Sequence, residues 1–291
     1  MIQYLYLGRV EYDEGLRLQA ELAQLRWDGR IENVLLLLEH PPVITLGRNA
    51  HRSNVLATDE MLAKRGVTLH EINRGGDVTY HGPGQLVGYP IFDLRSLSKA
   101  HLGRMGPVDF VRQMEEALIR LCDGFGVRAG RVEGLTGVWC GGATSNSDPK
   151  NGGNSGEGIA AGGERKIAAI GIHVARGITS HGFAFNVTTD LRDFGLIIPC
   201  GIPDHAVTSL EREVQDQSVL PSLEAIAKLA AQQFGLVFNQ RVLALENLEA
   251  LRALVGTKAL PAPEFPAQDT PLQIPSEVKR LHGDTERPVR A

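Results

Sequence analysis

Cysteine is scarce in this chain. Cys122, Cys140 and Cys200 are the only three among 291 residues, and none stands in a CxxC pair. Three scattered thiols exclude a disulfide framework. The nine histidines lack HExxH spacing, so no metal site is indicated. No apolar run approaches the roughly 20 residues that a membrane helix needs, and no membrane partner is expected. The longest run, residues 34–38, suits a buried strand. The net charge is −4, so there is no global basic field to attract nucleic acid. The start, Met1-Ile2-Gln3-Tyr4-Leu5, reads as a strand. It has neither a basic leader with a long apolar stretch nor an Arg/Ser-rich, acid-poor one. Cytoplasmic localisation is the expectation.

What the chain does have is enough apolar residues, 43%, to bury a sizeable core. Residues 13–27 carry Leu18, Leu22 and Leu25 at helical spacing. Residues 34–38, stopped by Pro41 and Pro42, read as a central strand, with residues 43–46 continuing it after a turn. Residues 107–125 give the clearest helix: Pro107 and Asp109 suit its first turn, and Val111, Met114, Leu118, Leu121 and Phe125 share one face. Gly124 and Gly126 are its stop signals. Residues 166–174 alternate and pair naturally with residues 182–187 as strands. Residues 223–234 and 242–254 read as two amphipathic helices. Strands in runs with helices between them predict an α+β domain, a mixed sheet with flanking helices. Residues 1–240 form its body, with a C-terminal helix over 241–260.

Two segments stand apart. Residues 141–163 hold eight glycines in 23 positions. They read as a flexible surface insertion, because such a composition buries too little apolar area to offset ordering. Residues 261–291 are proline-rich and charged, and are expected to be a partly disordered tail.

The densest chemistry lies in Arg74-Gly75-Gly76-Asp77-Val78-Thr79-Tyr80-His81-Gly82-Pro83-Gly84-Gln85, between the apolar runs 67–72 and 86–92. Glycine permits φ > 0 and close backbone approach. The stretch therefore reads as a polar loop between two strands, presenting N–H groups, Arg74 and His81 to a ligand. Cys200 lies in Ile198-Pro199-Cys200-Gly201-Ile202, a restrained turn. Its thiol is either a presented nucleophile or a small buried hydrophobe. Cys122 lies on the apolar helix and belongs to the core, whereas Cys140 has no functional reading. Lys166 is either a solvated strand-end lysine or a functional amine. His81 and His181, each in a His-Gly pair, are structural or wall a pocket.

These segments resemble the octanoyltransferases, also called lipoyl(octanoyl) transferases. The resemblance rests on the stretch from Arg74 to Gln85 and its continuation through Pro90. It rests also on Arg165-Lys166-Ile167-Ala168-Ala169-Ile170-Gly171, on His181-Gly182-Phe183-Ala184-Phe185-Asn186, and on the Pro199-Cys200-Gly201 turn. It spans residues 4–238 in order. It implies the fold of the biotin/lipoate A/B protein ligase catalytic domain. Relatives with this pattern pass almost directly from Gly137-Val138-Trp139 to the Arg165-Lys166 element, so residues 141–163 lengthen that connection, as a lid or as a tolerated insertion.

The implied activity is transfer of an octanoyl group from octanoyl-acyl carrier protein to a specific lysine. The acceptors are the lipoyl domains of 2-oxoacid dehydrogenase E2 subunits and the glycine cleavage H protein. The implied nucleophile is Cys200. Lys166 lowers its pKa and then shuttles protons; a Cys–His pair with His181 or His205 is the rival. The implied acyl site comprises Arg74, Gly75, Gly76, Asp77, Val78, Thr79, Tyr80 and His81, with Ala169, Ile170, Gly171, Gly182, Phe183 and Ala184. Small residues would keep its tunnel open. No cofactor is required, since the thioester is already activated, and a monomer is expected. Arg48, Arg74, Arg128 and Arg131 are candidates for a basic rim that meets acidic protein partners. Two other readings are an ATP-dependent lipoate or biotin ligase, which would carry double-arginine or GRGRxG loops, and a non-catalytic acyl- or carrier-binding protein.

Overall fold

The computed structural model describes residues 1–99, 103–141, 163–199 and 206–255. Its strands are β1 (Ile2–Arg9), β2 (Asn33–Glu39), β3 (Val43–Leu46), β4 (Thr68–Glu71), β5 (Val78–His81), β6 (Gln85–Ile91), β7 (Ser98–Lys99), β8 (Gly103–Arg104), β9 (Ala129–Val132), β10 (Leu135–Cys140), β11 (Arg165–Ala175), β12 (Ile178–Asn186), β13 (Ala206–Val207) and β14 (Val242–Ala244). Its helices are α1 (Tyr12–Trp27), α2 (Asp59–Lys64), α3 (Pro107–Asp123), α4 (Leu210–Glu213), α5 (Leu223–Val237) and α6 (Leu248–Val255).

Among the described residues the main sheet runs β14-β1-β2-β6-β12-β11-β10-β9, with β13 paired to β11. β14, β1 and β2 are mutually parallel, and β2 through β9 alternate as antiparallel pairs. β2 explains why both faces are covered. Leu35 and Leu37 enter one cluster with Phe110 of α3 and Phe234 of α5. Val34, Leu36 and Leu38 enter another with Leu18, Leu22 and Leu25 of α1 and Leu251 of α6. A strand buried on both sides reads as an unbroken apolar run rather than an alternating one. Leu36 is fully buried, so Leu36→Ala is expected to lower unfolding free energy by about 2–5 kcal/mol. Denaturant titration measures this, and a loss under about 1 kcal/mol would contradict the packing described.

The helices begin where the chain offers the right end groups. Asp13 and Glu14 occupy the first turn of α1 and Arg26 its last, matching the helix dipole. Pro107 opens α3, and Asp109 accepts the N–H of Gly106 at 3.4 Å. Gly126 follows at φ +72°. Met114, Leu118 and Leu121 are buried, with Val111 and Phe125 packed beside them.

Three sequence expectations need correction. Residues 43–46 form a strand but do not extend β2. After Pro41 and Pro42, β3 starts a separate sheet of order β4-β3-β5, with its own core of Ile44, Leu46, Val78, Tyr80 and Phe194. The polar loop before β6 is interrupted by β5, whose Val-Thr-Tyr-His residues favour the extended chain and pair antiparallel with β3. Residues 242–254 are not one helix. Residues 242–244 form the edge strand β14 beside β1, and α6 starts only after Asn247, whose Oδ1 accepts the N–H of Ala250 at 2.8 Å. Most of the glycine-rich segment and the proline-rich tail lie outside the described residues. Among the described residues no helix is long and apolar enough to cross a membrane.

Candidate active site

A cavity of about 220 Å³ opens where the two sheets meet. One wall is the β11–β12 pair, on which Ala169 faces Ala184 and Gly171 faces Gly182 in register. Ile170 and Phe183 also line it. The opposite wall is Arg74, Gly76 and Asp77 of the loop before β5, with Thr79 and His81 of β5 itself. Val87 and Tyr89 of β6, Tyr12 of α1 and the β9–β10 turn at Gly134, Leu135 and Thr136 complete it, and Lys166 contributes to its lining.

Alternation on β5 divides the quoted loop. Thr79 and His81 face the cavity. Val78 and Tyr80 turn into the core of the small sheet, where Tyr80 packs on Phe194 and donates its hydroxyl to Asp193 at 2.9 Å. Gly75 supports the rim instead, its N–H donating to the carbonyl of Ile172 at 2.9 Å. Gly171 and Gly182 both line the cavity and also admit close backbone contacts. A Cβ on Gly171 would lie 2.5 Å from the Gly75 carbonyl, and one on Gly182 would strike the Gly88 carbonyl. They allow neighbouring backbones to approach the sheet closely.

Arg74 is buried, so it cannot belong to an exposed basic rim. Its Nη2 donates to the carbonyl and hydroxyl of Thr45 at 2.8 and 2.9 Å, and its Nη1 to the Gly75 carbonyl at 3.0 Å. It ties the loop to β3. Asp77 accepts from Asn54 Nδ2 and from the Val78 N–H, each at 2.7 Å. Of the other three arginines, Arg131 is paired with Glu115 and Glu116, while Arg48 and Arg128 are exposed.

A chain of buried amides fixes the tautomer of His81. The Thr208 carbonyl can only accept, so Asn186 Nδ2 donates to it at 2.9 Å, leaving Asn186 Oδ1 to accept from Gln85 Nε2 at 2.9 Å. Gln85 Nε2 also donates to the Tyr80 carbonyl at 3.1 Å. Gln85 Oε1 therefore faces His81 Nδ1, 2.8 Å away, and that nitrogen carries the proton. The same logic at His40 makes Nδ1 a donor to the Val10 carbonyl at 2.6 Å and Nε2 the acceptor of the Tyr89 hydroxyl at 2.7 Å. His181 Nε2 lies 2.7 Å from Asn73 Oδ1, and its backbone N–H donates to Gln19 at 2.7 Å. Burial lowers the pKa of His40 to about 4 and those of His81 and His181 to about 3, and raises those of Tyr12 and Tyr89. These imidazoles are neutral near pH 7, and two of them, His81 and His181, line the cavity.

Lys166 is 7% exposed, and its Nζ stands 4.5 Å from the centroid of the Trp139 ring. Val207 pairs with Lys166 in register, and the Thr208 N–H donates to the Lys166 carbonyl at 2.9 Å. Cys200 and His205 lie outside the described residues. Cys122 and Cys140 are buried; burial raises the Cys122 thiol and pushes that of Cys140 up to about 12, which leaves both poor nucleophiles. Sequence reasoning missed Tyr12 and Tyr89 as cavity residues. Tyr89 shares a strand face with Val87, a period-2 signal that an apolar run obscures; Tyr12 carries no local signal.

A mixed sheet with flanking helices and one such cavity places the chain among the lipoate ligase folds. The solved bi-partite lipoate protein ligase of Thermoplasma acidophilum matches with a TM-score of 0.60 at 17% identity, over 88% of this chain and 91% of that one. Lipoate-protein ligase A bound with ATP matches at 0.55 and 17% identity, over 89% and 96%. At such identity the likeness concerns the fold alone. Residues 11–235 match the lipoyl protein ligase A/B catalytic domain family. The octanoyltransferase of Acidobacterium capsulatum is 58% identical over 250 residues, covering 85% of this chain and 94% of its own. That of Koribacter versatilis is 48% identical over 284 residues, covering 98% of each. The chain belongs to the lipoyl protein ligase A/B catalytic family, on its octanoyltransferase branch, and is an acyltransferase.

Proposed function

We propose that this enzyme moves an octanoyl group from the thioester of an acyl carrier protein to a lysine of a lipoyl domain, through an acyl thioester on Cys200. The observation that carries the reading is the buried amine of Lys166 at a cavity lined by Ala169, Ile170, Phe183 and Ala184, in a chain 58% identical to an octanoyltransferase.

In the first half-reaction the Cys200 thiolate attacks the thioester carbonyl. The bond to the pantetheine sulfur breaks, and that sulfur takes a proton from the Lys166 ammonium. In the second, the acceptor lysine attacks the acyl-Cys200 carbonyl as its free amine, neutral Lys166 takes the one proton that the nitrogen loses as the amide forms, and Cys200 leaves as the thiolate. Splitting the transfer lets one site serve two protein partners in turn. The oxyanion needs donors; Gly76, which lines the cavity at φ +88°, offers its backbone N–H. The donor is already activated, so neither metal nor nucleotide enters the scheme. E2 lipoyl domains and the glycine cleavage H protein are the acceptors, with Arg48 and Arg128 available to steer acidic partners.

The test is intact mass after mixing with octanoyl-acyl carrier protein. Wild type is expected to gain one hydroxylamine-labile octanoyl group, discharged by a lipoyl domain, and Cys200→Ser to lack the labile adduct. No adduct, together with transfer that requires free octanoate and ATP, would replace this reading with a ligase.

A further inference from the structure

Trp139 and Lys166 are register partners on β10 and β11, so their side chains stand as a cross-strand pair. The Lys166 ammonium lies over the indole face, 4.5 Å from its centroid, and Trp139 is itself 2% exposed. A cation over a desolvated tryptophan is held more firmly than one in water. Gly137 bounds the lysine from another side: a Cβ there would lie 3.4 Å from Lys166 Cε and 2.6 Å from the Ala168 carbonyl. At φ +124° the position also disfavours any other residue. The Gly137 backbone is held in turn by Glu115 of α3. That carboxylate is fully buried and accepts the Gly137 N–H at 3.0 Å, with Arg112 and Arg131 at 2.7 and 3.1 Å. A buried charge arranged this way costs desolvation that a hydrophobic replacement would not, yet through the Gly137 N–H it anchors the strand beside Lys166 to α3.

We propose that Trp139, with Gly137 and Glu115, forms a seat that fixes the Lys166 ammonium for acyl transfer, and that Trp139 is a positioning residue of this enzyme. The proposal rests on the reading of Lys166 as the proton-handling amine. The indole supplies a negative ring face for the charge, and the missing side chain at Gly137 leaves room for the aliphatic stem. Glu115 keeps β10 in the register that brings both against the lysine.

The protein holds two tryptophans, so Trp27→Phe leaves Trp139 as the only indole and allows a test independent of activity. In that background Lys166→Met is expected to shift the emission of Trp139, while Lys64→Met, at an exposed position on α2, leaves it unchanged. In steady-state octanoyl transfer, Trp139→Leu is expected to lower kcat roughly 30-fold at constant KM for the carrier. Trp139→Phe, which keeps a ring face, is expected to recover most of that loss. Unmoved emission on Lys166→Met, equal losses in the phenylalanine and leucine variants, or a folded Trp139→Leu with wild-type kcat would each overturn the proposal. If Trp139→Leu does not fold, the emission and Trp139→Phe decide. If wild type forms no octanoyl adduct, the acyl-transfer reading fails, while the emission still reports whether the seat exists.

Discussion

Lys166→Met is expected to slow octanoyl transfer by about 10²–10⁴-fold, the range typical of losing a general acid–base group, with the fold retained. Methionine nearly matches the lysine stem in volume, and an apolar side chain is better suited to a site only 7% exposed. The substitution therefore removes the proton-handling group without opening a cavity beside Trp139. Rapid-quench measurement of acyl-enzyme formation, alongside denaturant unfolding, separates chemistry from stability. A variant as stable as wild type and equally fast would remove Lys166 from the mechanism. One that acylates normally but fails to discharge would confine it to the second half-reaction.

Acid is expected to destabilise the protein steeply between pH 7 and pH 5. His40, His81 and His181 have folded pKa values lowered to about 4, 3 and 3, chiefly by burial. In the unfolded chain each titrates near 6.5. Above that value both states are neutral and the histidines impose no pH dependence. Below it the unfolded state binds protons that the folded state refuses, so stability is lost as pH falls. Three such groups together withdraw roughly 5 kcal/mol between pH 7 and pH 5, a large share of the stability of an ordinary domain. Few carboxylates titrate in that window, which makes the assignment clean. Urea unfolding at the two pH values measures it. Equal stabilities would mean that the three imidazoles are hydrated and protonate in place.

Much of the fold was legible because one physical signal dominated each element. Residues 34–38 had no polar interruption and were stopped by Pro41 and Pro42, which suited a buried central strand, and the stripe of Leu18, Leu22 and Leu25 suited a helix. The failures came where two signals competed. Around residues 242–254 apolar spacing suggested one helix, while the Asn247 cap marked its true start. At residues 43–46 the chain passes to a second sheet, and no local pattern records which sheet a strand joins. The site was legible through residues that stand out in a sequence, namely glycines, His81, His181 and Lys166. Its tyrosines were not, because Tyr12 and Tyr89 look like ordinary core until distant elements meet. Nor could alternation on β5 be applied to Val78 and Tyr80 before β5 was known to exist. The partners of Lys166 belong to the same class: a tryptophan and a glycine on a neighbouring strand acquire meaning only through register.

The parallel pairing of Ile2 with Val242 has a consequence for the birth of the protein. One edge of β1 receives its neighbour only when a strand 240 positions later in the chain arrives. At ordinary ribosomal speeds that is a wait of roughly 10–50 s, during which that edge of β1 offers unpaired amides and carbonyls to any extended chain nearby. Closing so distant a contact also makes the last step of assembly slow. That edge of β1 thus stays open to other chains until the short β14 emerges and covers it.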